Sequence, residues 1–99
     1  MIIKAYKKSL YFPPDVSQDL GLTDQHKIKF FIQAYNAEEA VNTDVSCIIG
    51  DSGYKFNSLE GRSFSVMCQT LFTKGFLKPG KYKLQTEEKN RIKLIPVYE

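Results

Sequence analysis

Along most of this chain apolar and polar residues alternate with a period of two, and in two short stretches the spacing opens to three and four. Ile3, Ala5 and Lys7 alternate with Ile2, Lys4 and Tyr6, and residues 9–12 are rich in β-formers, so strands are expected over 2–7 and 9–12. Pro13–Pro14 ends that run. Pro14 suits a first helical position, the charge of Asp15 favours a helix N-terminus, Val16 and Leu20 share one face, and Gly21 can close a helix over 14–20 in the left-handed conformation. From His26 to Tyr35, Ile28, Phe30 and Ile32 fall on one side and Lys27, Lys29 and Gln33 on the other, which predicts a strand. Asn36 to Asp44 is a polar, acidic connection with a helical turn expected at Ala37–Ala40. Val45–Ile49 and Gly53–Phe56 flank Gly50–Asp51–Ser52 and are expected to pair as a hairpin. Phe64, Met67, Cys68, Leu71 and Phe72 form an apolar stripe at helical spacing, so a second helix is expected over 63–74, capped by Ser63 or Ser65 and closed by Lys74 and Gly75. Pro79–Gly80 is a type II turn signal, followed by strands over Lys81–Leu84 and Arg91–Val97 around the turn Thr86–Asn90. The fold class expected is α+β: one strand-rich, small barrel-like domain over residues 1–99, with six to eight strands and two short helices.

At 99 residues the chain has room for a single core, which excludes multi-domain enzymes. The longest apolar runs, such as Phe30–Phe31–Ile32 and Cys47–Ile48–Ile49, are far too short to span a bilayer. Met1 to Lys8 lacks the apolar stretch of a signal peptide, so a soluble, cytoplasmic protein is expected. In a reducing cytosol, and with apolar neighbours, Cys47 and Cys68 read as two buried free thiols rather than a redox pair or zinc ligands.

The net charge of +3 is unevenly placed. Five lysines against three aspartates give residues 1–36 a charge of +2, one lysine against five carboxylates gives 37–60 a charge of −4, and eight basic residues against three glutamates give 61–99 a charge of +5. Basic ends therefore flank an acidic middle. Such basic residues can neutralise phosphates by counterion release, although only 2 of the 14 are arginine, the residue that reads guanine edges bidentately. The chain also carries 6 Tyr and 7 Phe, more than a small core needs, so some tyrosines should be exposed and free to stack bases or anchor a protein interface.

Catalytic chemistry is not legible. Gly50–Asp51–Ser52–Gly53 resembles the nucleophile motif of trypsin-like serine proteases, but such a tetrapeptide is a natural tight turn and the chain is too small for two barrels. His26 is the single histidine, and Glu38–Glu39 and Glu87–Glu88 are adjacent pairs whose side chains diverge in extended chain. With six scattered glycines and no metal-ligand spacing, neither a phosphate loop nor a metal site is expected. The expectation is a non-enzyme without cofactors.

The two halves share a grammar of strand, strand, helix, leucine, polar turn and Lys-flanked strand, which suggests a pseudo-repeat of two ββαβ units over 1–36 and 45–97. Leu22 to Phe30 aligns with Leu77 to Leu84 once one residue is omitted from the second, and Gly21 and Gly75 end the two helices. Leu10–Tyr11–Phe12–Pro13–Pro14–Asp15–Val16, then Leu20–Gly21–Leu22–Thr23–Asp24 and Lys27–Ile28–Lys29–Phe30, resemble the SpoVT/AbrB swapped-hairpin family. Gly75 to Leu84 and Arg91 to Pro96 are similar to that pattern's turn and closing strands. The resemblance implies a DNA-binding transcription regulator or antitoxin, of the kind phages and mobile elements carry, acting as a monomer of two fused units or as a homodimer. Lys7 and Lys8 match the segment that faces DNA, and Lys4, Arg62, Lys81, Lys83, Arg91 and Lys93 complete the expected nucleic-acid-binding set. The same duplication also builds double-psi barrels, so an alternative stands beside DNA: a module that binds a protein through exposed tyrosines and the acidic segment 37–60.

Overall fold

The computed structural model describes residues 1–32, 44–88 and 90–97. The strands are β1 (Ile2–Ala5), β2 (Ser9–Phe12), β3 (Lys27–Phe31), β4 (Val45–Gly50), β5 (Tyr54–Ser58), β6 (Phe64–Met67), β7 (Gly80–Thr86) and β8 (Arg91–Pro96). Two short helices, α1 (Pro14–Leu20) and α2 (Gln69–Thr73), and a 3-10 turn at Glu60–Arg62 complete the described elements. The strands close into an antiparallel barrel in the order β1-β2-β6-β5-β3-β4-β8-β7. Closure gives each described strand a neighbour on both sides, which suits a chain of such short strands.

Alternation decides what the barrel contains. Ile3, Leu10, Phe12, Ile28, Phe56, Val66, Ile92 and Leu94 point inward and are fully or almost fully buried, while the lysines between them point out. Phe56 packs edge-to-face against Phe12, with ring centroids 5.3 Å apart, and against Phe64 at 6.2 Å. Cys47 and Cys68 are free thiols within this core.

Four expectations need correction. The stripe read as a helix over 63–74 is divided: Phe64–Met67 is strand β6, paired with β2 from Phe12↔Phe64 to Ser9↔Met67, and only Gln69–Thr73 is helical. Neither Ser63 nor Ser65 caps that helix, because Cys68 holds the N-cap position and the Ser63 hydroxyl donates to the Glu60 carbonyl at 2.9 Å. Strands β4 and β5 do not pair as a hairpin, because β3 lies between them and is antiparallel to both. Asp51–Gly53 therefore crosses β3 near Ile28, and a Cβ on Gly53 (φ 109) would lie 2.2 Å from the Ile28 carbonyl oxygen. Strand β1 ends at Ala5, because Tyr6 turns to hydrogen-bond the Ser9 carbonyl. The helical turn expected at Ala37–Ala40 lies outside the described residues.

The halves are related more closely than their sequences suggest. Exchanging β1 with β5, β2 with β6, β3 with β7 and β4 with β8 leaves the ring order unchanged. The exchange also preserves register. Ile3↔Tyr82 becomes Tyr54↔Ile28, Lys4↔Lys81 becomes Lys55↔Lys27, Ala5↔Leu10 becomes Phe56↔Val66, and Val45↔Leu94 becomes Ile92↔Cys47. The repeating unit is thus ββαββ, with its boundary in Asp51–Gly53. Both helices end in the same cap: Gly21 and Gly75 take φ of 64 and 80, and the next N–H reaches back to Ser17 or Leu71. The caps make Leu22 the equivalent of Phe76, so the alignment from these glycines into β3 and β7 needs no omission.

Candidate nucleic-acid interface

Five of the eight residues expected to bind nucleic acid lie on three adjacent strands. Lys4 on β1 stands directly opposite Lys81 on β7, Lys83 follows two residues along β7, and Arg91 and Lys93 lie on β8 next to it. Lys4, Lys81, Lys83 and Arg91 are exposed and Lys93 is half-exposed. Lys93 forms an ion pair with Glu87 at 3.5 Å. Cross-strand partners sit only about 5 Å apart at Cβ, so Lys4 and Lys81 concentrate positive charge at one place on this face.

The other three residues separate. Lys7 and Lys8 occupy the tight turn between β1 and β2, at the end of β1 where Ala5 pairs with Gly80. The Lys8 carbonyl accepts from the Cys68 N–H at 3.0 Å, which ties this turn to the start of α2. Arg62 lies in the equivalent turn between β5 and β6, at the opposite end of the β2–β6 ladder. There Gly61 and Arg62 both adopt left-handed backbone, φ 72 and φ 64. Arg62 is the one described non-glycine residue with positive φ, and it lines a groove against α1 with Ser17, Gln18, Gly21 and Thr23.

A second lysine group was not among the expected set. Lys27 on β3 stands opposite Lys55 on β5, with Lys29 two residues along β3, and all three are exposed. These are the pseudo-symmetric equivalents of Lys81, Lys4 and Lys83. The signal for them was present in sequence as the shared Lys27-Ile-Lys29 and Lys81-Tyr-Lys83 patterns. The Lys29 ammonium also lies over the Phe31 ring, 5.8 Å from its centroid.

The remaining chemistry-bearing groups are engaged in the fold. His26 Nδ1 accepts the Thr23 N–H at 3.0 Å, and the Thr23 hydroxyl accepts the Gln25 N–H at 3.2 Å, so this histidine closes the turn before β3. Burial pushes the Cys68 thiol up to about 12, and Cys47 is raised further by burial and by the neighbouring Cys68. Among the described residues no three His, Cys, Asp or Glu side chains gather as a metal site. No described helix is long and apolar enough to cross a membrane. Of the tyrosines expected to be exposed, Tyr6 is (52%), whereas Tyr82 is buried and Tyr54 is half-buried against Phe30. Tyr35 and Tyr98, and residues 37–43 of the acidic segment, lie outside the described residues. Comparison with family models, curated proteins and solved structures finds no match to this chain.

Proposed function

We propose that this chain is a small DNA-binding regulator of the swapped-hairpin kind, with two fused hairpin units in place of a homodimer. The observation that carries this reading is the basic outer face of β1, β7 and β8, where register sets Lys4 beside Lys81, with Lys83, Arg91 and Lys93 along the adjoining strands. A polyphosphate laid along that face releases counterions as the basic side chains neutralise its charges. Lys83 and Arg91 extend the contact along the strands, and Lys7 and Lys8 extend it at the end of β1. The ββαββ order of each half, and the helix ending Leu20–Gly21–Leu22, fit the family resemblance.

The test is a fluorescence-polarisation titration with random duplex and single-stranded DNA at 50 and 200 mM salt. Each phosphate contact contributes about 0.9 to the slope of log affinity against log salt, so the triple variant Lys4→Gln, Lys81→Gln, Lys83→Gln should lose about 2.7 from that slope. No duplex binding at 50 mM salt would overturn the reading. The alternative, a protein-binding module, is favoured by one observation: Tyr6 and Met67 (55% exposed) put apolar surface at the β1–β2 turn and on β6. An aromatic interface would show little salt dependence and would survive the lysine substitutions.

A further inference from the structure

We infer that the barrel carries a second phosphate-binding face, formed by Lys27, Lys29 and Lys55, so that one monomer bridges two DNA duplexes. This rests on the DNA-binding reading and extends it to a surface that reading does not use.

The internal symmetry carries the inference. Paired by register, the strands of the two halves match identically at Lys4/Lys55, Lys27/Lys81, Lys29/Lys83, Ser9/Ser65 and Ile48/Ile95. Three of these five matches are exposed lysines. The inward positions have diverged in the same comparison: Leu10 is matched by Val66, Ile28 by Tyr82, Phe30 by Leu84 and Cys47 by Leu94. A core needs only apolar character and volume, so it tolerates such changes. A solvated strand position needs only polarity, and nothing in the packing demands lysine at six equivalent places. A shared ligand does. The placement supports this too, because Lys27 faces Lys55 across β3 and β5, where like charges are unfavourable by themselves.

The placement of the two groups sets the stoichiometry. In the closed ring the β7–β1 pair is separated from the β5–β3 pair by β2 and β6 on one side and by β4 and β8 on the other. The lysine groups therefore lie on opposite walls of a body measuring 34 × 25 × 23 Å, and one straight duplex meets only one of them. The faces are not identical. The crossing segment brings Asp51 to the second wall, while Arg91 and Lys93 extend only the first, where the second has Asp44 and Ser46. The second face should therefore bind more weakly.

The experiment mixes two short duplexes, one carrying a fluorescence donor and one an acceptor, with the full chain at 50 mM salt, and measures the mass of the complexes by native mass spectrometry. Energy transfer and a complex of one protein with two duplexes are expected. Lys27→Gln, Lys29→Gln, Lys55→Gln should abolish transfer and leave one-to-one binding within about threefold, and Lys4→Gln, Lys81→Gln, Lys83→Gln should also abolish transfer while weakening the tighter site. Circular dichroism establishes that both variants are folded. Saturation at one duplex per protein, transfer that survives either triple variant, or bridging only by two proteins on two duplexes would overturn the inference while DNA binding itself stands. Absence of any duplex binding would instead overturn the functional reading, and this inference with it.

Discussion

Arg62 sits in a conformation that asparagine or glycine holds more cheaply. Left-handed backbone costs a β-carbon residue about 1 kcal/mol, and here Gly61 already occupies the preceding left-handed position. Arg62→Asn should therefore leave thermal stability equal or raise it by up to about 1 kcal/mol, read by thermal denaturation; a loss of stability would show that the guanidinium supports the fold instead. Gly53 is the opposite case, a residue the fold itself requires. Gly53→Ala would drive a Cβ into the Ile28 carbonyl oxygen and should cost at least about 3 kcal/mol, read by urea denaturation. The buried thiols make stability depend on pH with a definite sign. Their folded values lie above the unfolded range of about 8.5, so above that pH the unfolded chain binds fewer protons than the native one and unfolding becomes easier as pH rises. The thiol contribution is complete below about pH 8.5 and is lost progressively toward pH 12. Comparing urea midpoints at pH 7.5 and 10 checks this, and Cys47→Ala with Cys68→Ala should flatten the decline relative to wild type.

Among the elements, what the sequence discloses depends on whether the pattern is local. Strands β1, β2, β3, β7 and β8 and helix α1 are written in alternation, Pro14 and Gly21, and they form close to where those signals place them. Phe64 to Phe72 misleads because a strand of four followed at once by a helical turn puts apolar residues at spacings of three and four without a helix to join them. Pairing decides its first half: β6 lies between its neighbour β5 and the distant β2, and no short window of the sequence contains the second partner. The same holds for Gly50–Asp51–Ser52–Gly53, whose composition suits a hairpin but whose flanking strands are separated by β3. At the candidate site, the basic residues were legible, but their grouping depends on ring order: Lys4 and Lys81 meet through a pairing of the chain's two ends. The aromatic contacts show how the strands hold each other. Phe56 of β5 touches Phe12 of β2 and Phe64 of β6, so Phe56→Ala removes two edge-to-face contacts and leaves a cavity. It should cost about 3–5 kcal/mol in chemical denaturation, whereas truncating exposed Lys55 on the same strand should change stability by less than about 0.5 kcal/mol.

For the molecule as a whole, the consequence of the internal symmetry is that neither half can close by itself. Residues 1–50 own the β1–β2 and β3–β4 pairings and residues 54–97 own β5–β6 and β7–β8. The other four ladders, β2–β6, β1–β7, β3–β5 and β4–β8, all join one half to the other. A separated half would expose four strand edges and the apolar face that now lines the barrel, which a soluble monomer does not sustain. Asp51–Gly53 is the one covalent link between the halves, so cutting it changes association from intramolecular to bimolecular without removing any ladder. Fragments 1–51 and 52–99, mixed in equal amounts, should therefore rebuild the β-rich spectrum of the intact chain and melt cooperatively at a temperature that rises with concentration. Alone, each fragment should either lack a cooperative melt or pair with its own copy, since the symmetry makes one half an approximate substitute for the other. Sedimentation equilibrium combined with circular dichroism separates these outcomes. A fragment 1–51 that is folded and monomeric would show that the inter-half ladders are dispensable and that the barrel is not an obligate pairing of two units.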